Sequence, residues 1–298
     1  MNIEKRRLKL FLILAFGISW SSALVIALTG GLVNSPELIP NTGITLALIL
    51  EACVFMWGPA LANILTRIIT RESWQNAFIS PNLKKGWPYW LAGWFGPGLA
   101  TILGILLFFV ILPQYYDPNF TTLRAQLQAA NATSISDPMV IVISQTAMAL
   151  LLAPVLNSMA TFGEEFGWRA YLLPKLSAAM GNRKALLLSS VIWGIWHWPI
   201  IAMGHNYGLD YWGYPWLGLL MTVWFTLSIG VFFGWISQKA GSVWPAVIAH
   251  GALNGIAALG LLFVSGATPM VLGPSPAGVI GCLPFTVVSA IILLKMKD

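Results

Sequence analysis

Eight stretches of predominantly apolar residues, at 8–29, 44–69, 89–112, 139–162, 185–203, 216–238, 245–264 and 277–294, run through this 298-residue chain. Each is close to the about 20 residues that a helix needs to cross a bilayer. Lipid offers the backbone no hydrogen bonds, so segments of this kind must satisfy their own amides as helices. The expectation is an all-α fold, a polytopic membrane helical bundle of about eight transmembrane helices. Residues 1–298 read as a single transmembrane domain, because no repeat, low-complexity tract or soluble module interrupts the pattern. Charged residues make up only 9% of the chain, against roughly a quarter in soluble domains. A nucleic-acid-binding domain, a disordered chain and a secreted disulfide scaffold are excluded together. Cys53 and Cys282 lie in separate apolar runs with no second thiol nearby, and both read as packing residues.

Orientation follows from the basic residues. The first apolar stretch follows Lys5, Arg6, Arg7 and Lys9 and is too long for the apolar region of a signal peptide, so it counts as helix one. With the amino terminus inside, 15 of the 16 Lys and Arg fall on the inner side, and only Arg124 falls outside. The positive-inside rule therefore places both termini in the cytoplasm, in a multi-pass protein expected in the plasma membrane of a prokaryote. The outer segment 113–138 holds two N-x-T triplets, at Asn119 and Asn131, of a kind that recurs by chance. Gly230 with Gly234 and Gly251 with Gly255 suit close helix packing.

An ionisable side chain at the bilayer centre costs about 2.5–3.5 kcal/mol on insertion scales, so the few within spans are candidates for function. They are Glu51, Glu164, Glu165, His197 and His250, with Arg169 one turn after the glutamate pair; His205 reads as an outer-loop residue. In Gly163-Glu164-Glu165-Phe-Gly-Trp-Arg169, Glu165 and Arg169 are four apart and share a helix face, so they can pair. Glu164 is turned by about 100° and is free to face a cavity. The plainer alternative is that both glutamates sit at the inner interface and neutralise Arg169. His250 and Asn254 are also four apart and project from one face. A lone intramembrane histidine is more often a packing residue. Two histidines with an unpartnered glutamate and a co-facial asparagine are better satisfied by converging on one another.

Together these groups can hydrolyse an amide. A carboxylate beside an imidazole can take a proton from water, and a second imidazole with a carboxamide can donate to the oxyanion that forms. The same Glu164, His197 and His250 could instead ligate zinc, since two histidines and a glutamate form a known catalytic set. Other intramembrane chemistries lack their residues: there is no H-E-x-x-H, no aspartate within a span, and no G-x-S-x-G, the nearest approach being Gly273-Pro-Ser275-Pro-Ala277.

The order E-E-x-x-x-R, an aromatic four residues before a histidine, then H-x-x-x-N, over about residues 160–255, resembles the CAAX protease and bacteriocin-processing (CPBP, or Abi) family of intramembrane proteases. The motif-bearing core is about 139–264. The resemblance implies Glu164 as general base, His197 as its partner in activating water, His250 and Asn254 as oxyanion stabilisers, and Glu165 with Arg169 as support for the fold. Where the family's second motif has F-x-x-x-H, this chain has Trp193 before His197, which retains an aromatic. Family members are often labelled metalloproteases, and the same residues suit a metal-free glutamate mechanism. The implied substrate is a membrane-anchored or lipidated peptide: a prenylated C terminus, a bacteriocin leader or a regulatory protein.

Two readings compete with an enzyme. A transporter or channel would use the Glu and His residues as a proton or substrate site, but the paired half-repeats common in transporters are not seen. An inactive scaffold would retain the cavity alone. Depth raises a further requirement: at about 1.5 Å per residue, His197 would stand about 18 Å up its helix, His250 about 8 Å up its own, and Glu164 near the inner face. Convergence requires that helix five start near Asn182 or that helix four bend at Pro154, and it favours a site in the inner half of the bilayer, open to the cytoplasm.

Overall fold

The computed structural model describes residues 3–129 and 137–296, so Asn131 of the second N-x-T triplet and Lys297 lie outside the described residues. Helix α1 (Ile3–Leu28) leads to a short antiparallel pair, β1 (Glu37–Ile39) with β2 (Ile44–Thr45). Helix α2 (Leu46–Leu50), a π turn (Glu51–Phe55) and α3 (Gly58–Thr70) then form one apolar rod. Next come α4 (Leu83–Ile111) and, in the outer segment, α5 (Thr121–Ala129). The fourth apolar stretch is broken into α6 (Pro138–Leu151), α7 (Ala153–Leu156) and α8 (Ser158–Gly167), followed by a second π turn (Trp168–Leu172) and α9 (Leu173–Met180). The remaining helices are α10 (Asn182–Trp196), α11 (Trp198–Ala202), α12 (Trp216–Ala240), α13 (Trp244–Ile256) and α14 (Val279–Lys295).

This is a polytopic helical membrane bundle. Among the described residues, five helical segments are long and apolar enough to cross a membrane: Ile3–Leu28, Leu46–Thr70, Leu83–Ile111, Trp216–Ala240 and Trp244–Phe263. The fourth, fifth and eighth stretches of the sequence reading are instead broken or shorter, with α6 and α14 as shorter apolar helices. Both devices that convergence required are present, since α10 starts at Asn182 and the fourth stretch breaks at Leu152–Asn157, around Pro154. One packing assignment needs correcting: Cys282 is buried, whereas Cys53, on the first π turn, is exposed.

The breaks are held by bonds from neighbouring helices. A π turn leaves carbonyls without the usual intrahelical donor, and in lipid each must find another. Ser19 of α1 donates to the Phe55 carbonyl at 2.8 Å and Ser22 to that of Leu50 at 3.3 Å, at either end of the first π turn. Asn63 of α3 donates to the Phe166 carbonyl at 2.8 Å, just before the second. Asn157 and Thr161 donate to the α13 carbonyls of Gly251 (2.9 Å) and Val247 (3.0 Å), which fastens the broken helix to the helix that carries His250. Glycine permits this approach: a Cβ on Gly251 would meet the Pro154 carbonyl oxygen at 2.8 Å, and one on Gly255 the Ala153 Cβ at 2.3 Å. Gly251 and Gly255 are thus contact points between α13 and the break, while Gly230 and Gly234 of α12 lie against Ser190 and Leu186 of α10.

Candidate active site

Three elements present the candidate residues. Helix α8 ends with Glu164 and Glu165, α10 carries Trp193 in its last turn with His197 capping it, and α13 carries His250 and Asn254. Glu164, His197, His250 and Asn254 all line one cavity of about 330 Å³. A smaller cavity of about 90 Å³ is walled by His197, His250 and Asn254 again, with Trp193. The convergence read from residue type and helical phase is therefore observed.

Hydrogen bonds fix which atoms are left for chemistry. Glu164 is 2% exposed, and its Oε2 accepts from the Trp193 indole Nε1–H at 2.7 Å. Its other oxygen takes no hydrogen bond among the described residues. The Trp193 carbonyl accepts from His197 Nδ1 at 2.8 Å, which puts the proton on Nδ1 and leaves the Nε2 lone pair. Trp193 thus contacts the carboxylate with its side chain and orients the imidazole with its backbone. The aromatic in the family's usual place could not do the first, because phenylalanine has no N–H to donate.

The second glutamate is more heavily engaged than the sequence indicated. Glu165 Oε1 accepts from Arg169 Nη1 at 3.0 Å, the expected i, i+4 pair, and also from His250 Nδ1 at 2.9 Å. Glu165 is 0% exposed and its Oε2 has no hydrogen-bond partner among the described residues. The Arg169 guanidinium lies 4.0 Å from the Trp193 ring centroid, so one buried layer ties both glutamates, Arg169, Trp193 and His250 together. Asn254, in contrast, is exposed and makes no hydrogen bond among the described residues, so its carboxamide is uncommitted.

Three residues join the four that were expected to converge: His205, Glu51 and Asn206. His205 lines the cavity rather than standing apart in a loop, and its Nδ1 lies 3.4 Å from Glu51 Oε1. All three histidines of the chain therefore face one cavity. Glu51 opens the first π turn, and such turns recur at functional sites. Asn206 beside it also lines the cavity and has a φ of 67°, a left-handed conformation uncommon outside glycine. The signal available in the sequence was the cost of Glu51 within an apolar stretch.

The cavity wall includes Glu51, His205 and Asn206 and, among the described residues, no Lys or Arg. A metal would need Glu164, His197 and His250 to converge on one point. Among the described residues no three His, Cys, Asp or Glu side chains form a group that could hold a metal ion.

Residues 142–256 match the family described as type II CAAX prenyl endopeptidase Rce1-like. Over 97 residues the chain is 32% identical to CAAX prenyl protease 2 of Methanococcus maripaludis, a match covering 32% of this chain and 35% of that protein. The chain thus matches about a third of the length of this curated relative. The resemblance drawn from the motifs is borne out over the segment that carries them.

Proposed function

We propose that the chain, related over residues 142–256 to the type II CAAX prenyl endopeptidases, is an intramembrane endopeptidase that uses Glu164 and His197 to activate water against a membrane-anchored or lipidated substrate. The observation that carries this reading is the shared cavity of Glu164, His197, His250 and Asn254. Water would give one proton to the free Glu164 oxygen while its second O–H donates to His197 Nε2, and its oxygen would attack the scissile carbonyl. Negative charge then develops on the carbonyl oxygen. The Asn254 carboxamide and His250 Nε2–H would donate to it, the latter when the ring carries both protons, a charge that the Glu165 carboxylate on Nδ1 supports. Glu164 would return its proton to the amide nitrogen as the C–N bond breaks, leaving an amine and a carboxylic acid.

The test is direct: detergent-purified protein is expected to cleave an anchored fluorogenic peptide, with turnover unchanged by a metal chelator. Failure on a broad peptide panel would leave only a binding cavity. Asn254 offers a cleaner dissection, since it is exposed and bonded to nothing among the described residues. Asn254→Ala should melt as the parent does while kcat falls about 100-fold, the cost of losing one oxyanion donor. An unchanged kcat would remove Asn254 from the reaction.

A further inference from the structure

The cavity is closed toward one end of the bundle and open toward the other. Beneath Glu164 lie Glu165 (0% exposed), Trp168 (1%) and Arg169 (4%), a sealed layer. At the opposite side the wall is formed by the half-exposed His205 and the exposed Asn206, with Glu51 beside them.

Three helices give the same polarity. The rod that starts at Leu46 meets the cavity at Glu51 and runs on to Thr70, about 28 Å beyond Glu51 at 1.5 Å per residue. There, just past its end, Glu72 pairs with Lys175 at 2.6 Å, and Lys175 pairs with Glu4 of α1 at 2.6 Å. Helix α10 starts beside Arg183 and Lys184 and reaches His197 about 22 Å later. Helix α13 starts just after Lys239, with Trp244 bonded to the Ile79 carbonyl at 2.7 Å, and reaches Asn254 about 15 Å later. The open end of the cavity is therefore the end remote from the basic residues. Since Lys175, Arg183, Lys184 and Lys239 mark the other end, the positive-inside rule makes that other end cytoplasmic.

We infer that the cavity opens toward the extracytoplasmic side of the membrane, so that its substrate is a membrane-anchored peptide segment presented from the outer leaflet rather than a lipidated C terminus presented from the cytoplasm. The sidedness stands on geometry and charge alone. The substrate class rests, in addition, on the protease reading.

Sidedness is measured without catalysis. In a background with Cys53→Ser and Cys282→Ser, single cysteines are placed at two exposed loop positions: Leu209→Cys near the cavity mouth and Gln75→Cys at the basic end. A membrane-impermeant maleimide applied to intact cells should label the first at least about tenfold more than the second, with equal labelling after permeabilisation. The reverse ratio, or equal labelling in intact cells, overturns the inference. Asp210→Cys, also exposed, serves if the first variant fails to accumulate.

Two reporters with the same anchor then carry a cleavable segment outside or inside the cell. Cleavage of the outer one alone is expected, and cleavage of the inner one overturns the substrate class. If neither is cut, the protease reading falls and the substrate class with it, while the labelling result still decides which side the cavity faces.

Discussion

Glu164→Gln is expected to lower turnover by about 10⁴-fold, the upper range for loss of a general base, while the protein melts at the parental temperature. The two halves of this expectation come from different bonds. Among the described residues the carboxylate accepts one hydrogen bond, from the Trp193 indole at 2.7 Å, and has no Lys or Arg salt-bridge partner. A carboxamide oxygen in the same place can accept that bond equally well, and replacing a buried charge by a neutral isostere removes a desolvation cost. Nothing structural is therefore lost. The proton acceptor for water and the proton donor to the departing amine are both lost, because in the proposed reaction they are one group. Turnover of an anchored peptide and a melting curve in the same detergent check both halves. Retained hydrolysis would assign Glu164 to the fold and end the enzyme reading.

The parts of this site that could be read from the sequence are those carried on one helix. Residues four apart on a helix share a face whatever surrounds them, so the Glu165–Arg169 pair and the alignment of His250 with Asn254 were visible in the spacing alone. The apolar stretches announced the bundle for a similar reason, since hydropathy is a property of a local window. Contacts between helices were not visible. His250 bonds to Glu165 and Trp193 to Glu164 between separate helices, one of them the fourth stretch broken near Pro154, and no local spacing shows such pairs. Pro154 advertises its break, but nothing in Glu51–Phe55 or Trp168–Leu172 advertises a π turn. The turns persist because Ser19, Ser22 and Asn63, distant in sequence, satisfy carbonyls at or beside them. Depth was hidden for the same reason: counting residues along straight helices gave Glu164, His197 and His250 different heights, yet they line one cavity beside the break at Leu152–Asn157.

Glu165→Gln should have the opposite signature, a large loss of stability. Its Oε1 accepts from Arg169 at 3.0 Å and from His250 at 2.9 Å, and Glu165 and Arg169 are 0% and 4% exposed. Removing the negative charge leaves a buried guanidinium without a counter-ion, a change that typically costs about 3–5 kcal/mol. The ring faces of Trp193 and Phe233, at 4.0 and 5.6 Å from the guanidinium carbon, recover only part of this. If the cost comes from the orphaned charge, removing that charge as well should restore much of it, so Glu165→Gln with Arg169→Met is expected to melt above Glu165→Gln alone. The double variant also separates the two jobs of Glu165. Stability returns with Arg169 gone, but His250 still lacks the carboxylate that would support its second proton, so kcat should stay depressed by the 10²-fold or more expected for a lost oxyanion donor. Full recovery of kcat in the double variant would confine Glu165 to the fold, and an unchanged melting temperature in the single variant would show that the buried pair contributes nothing to it.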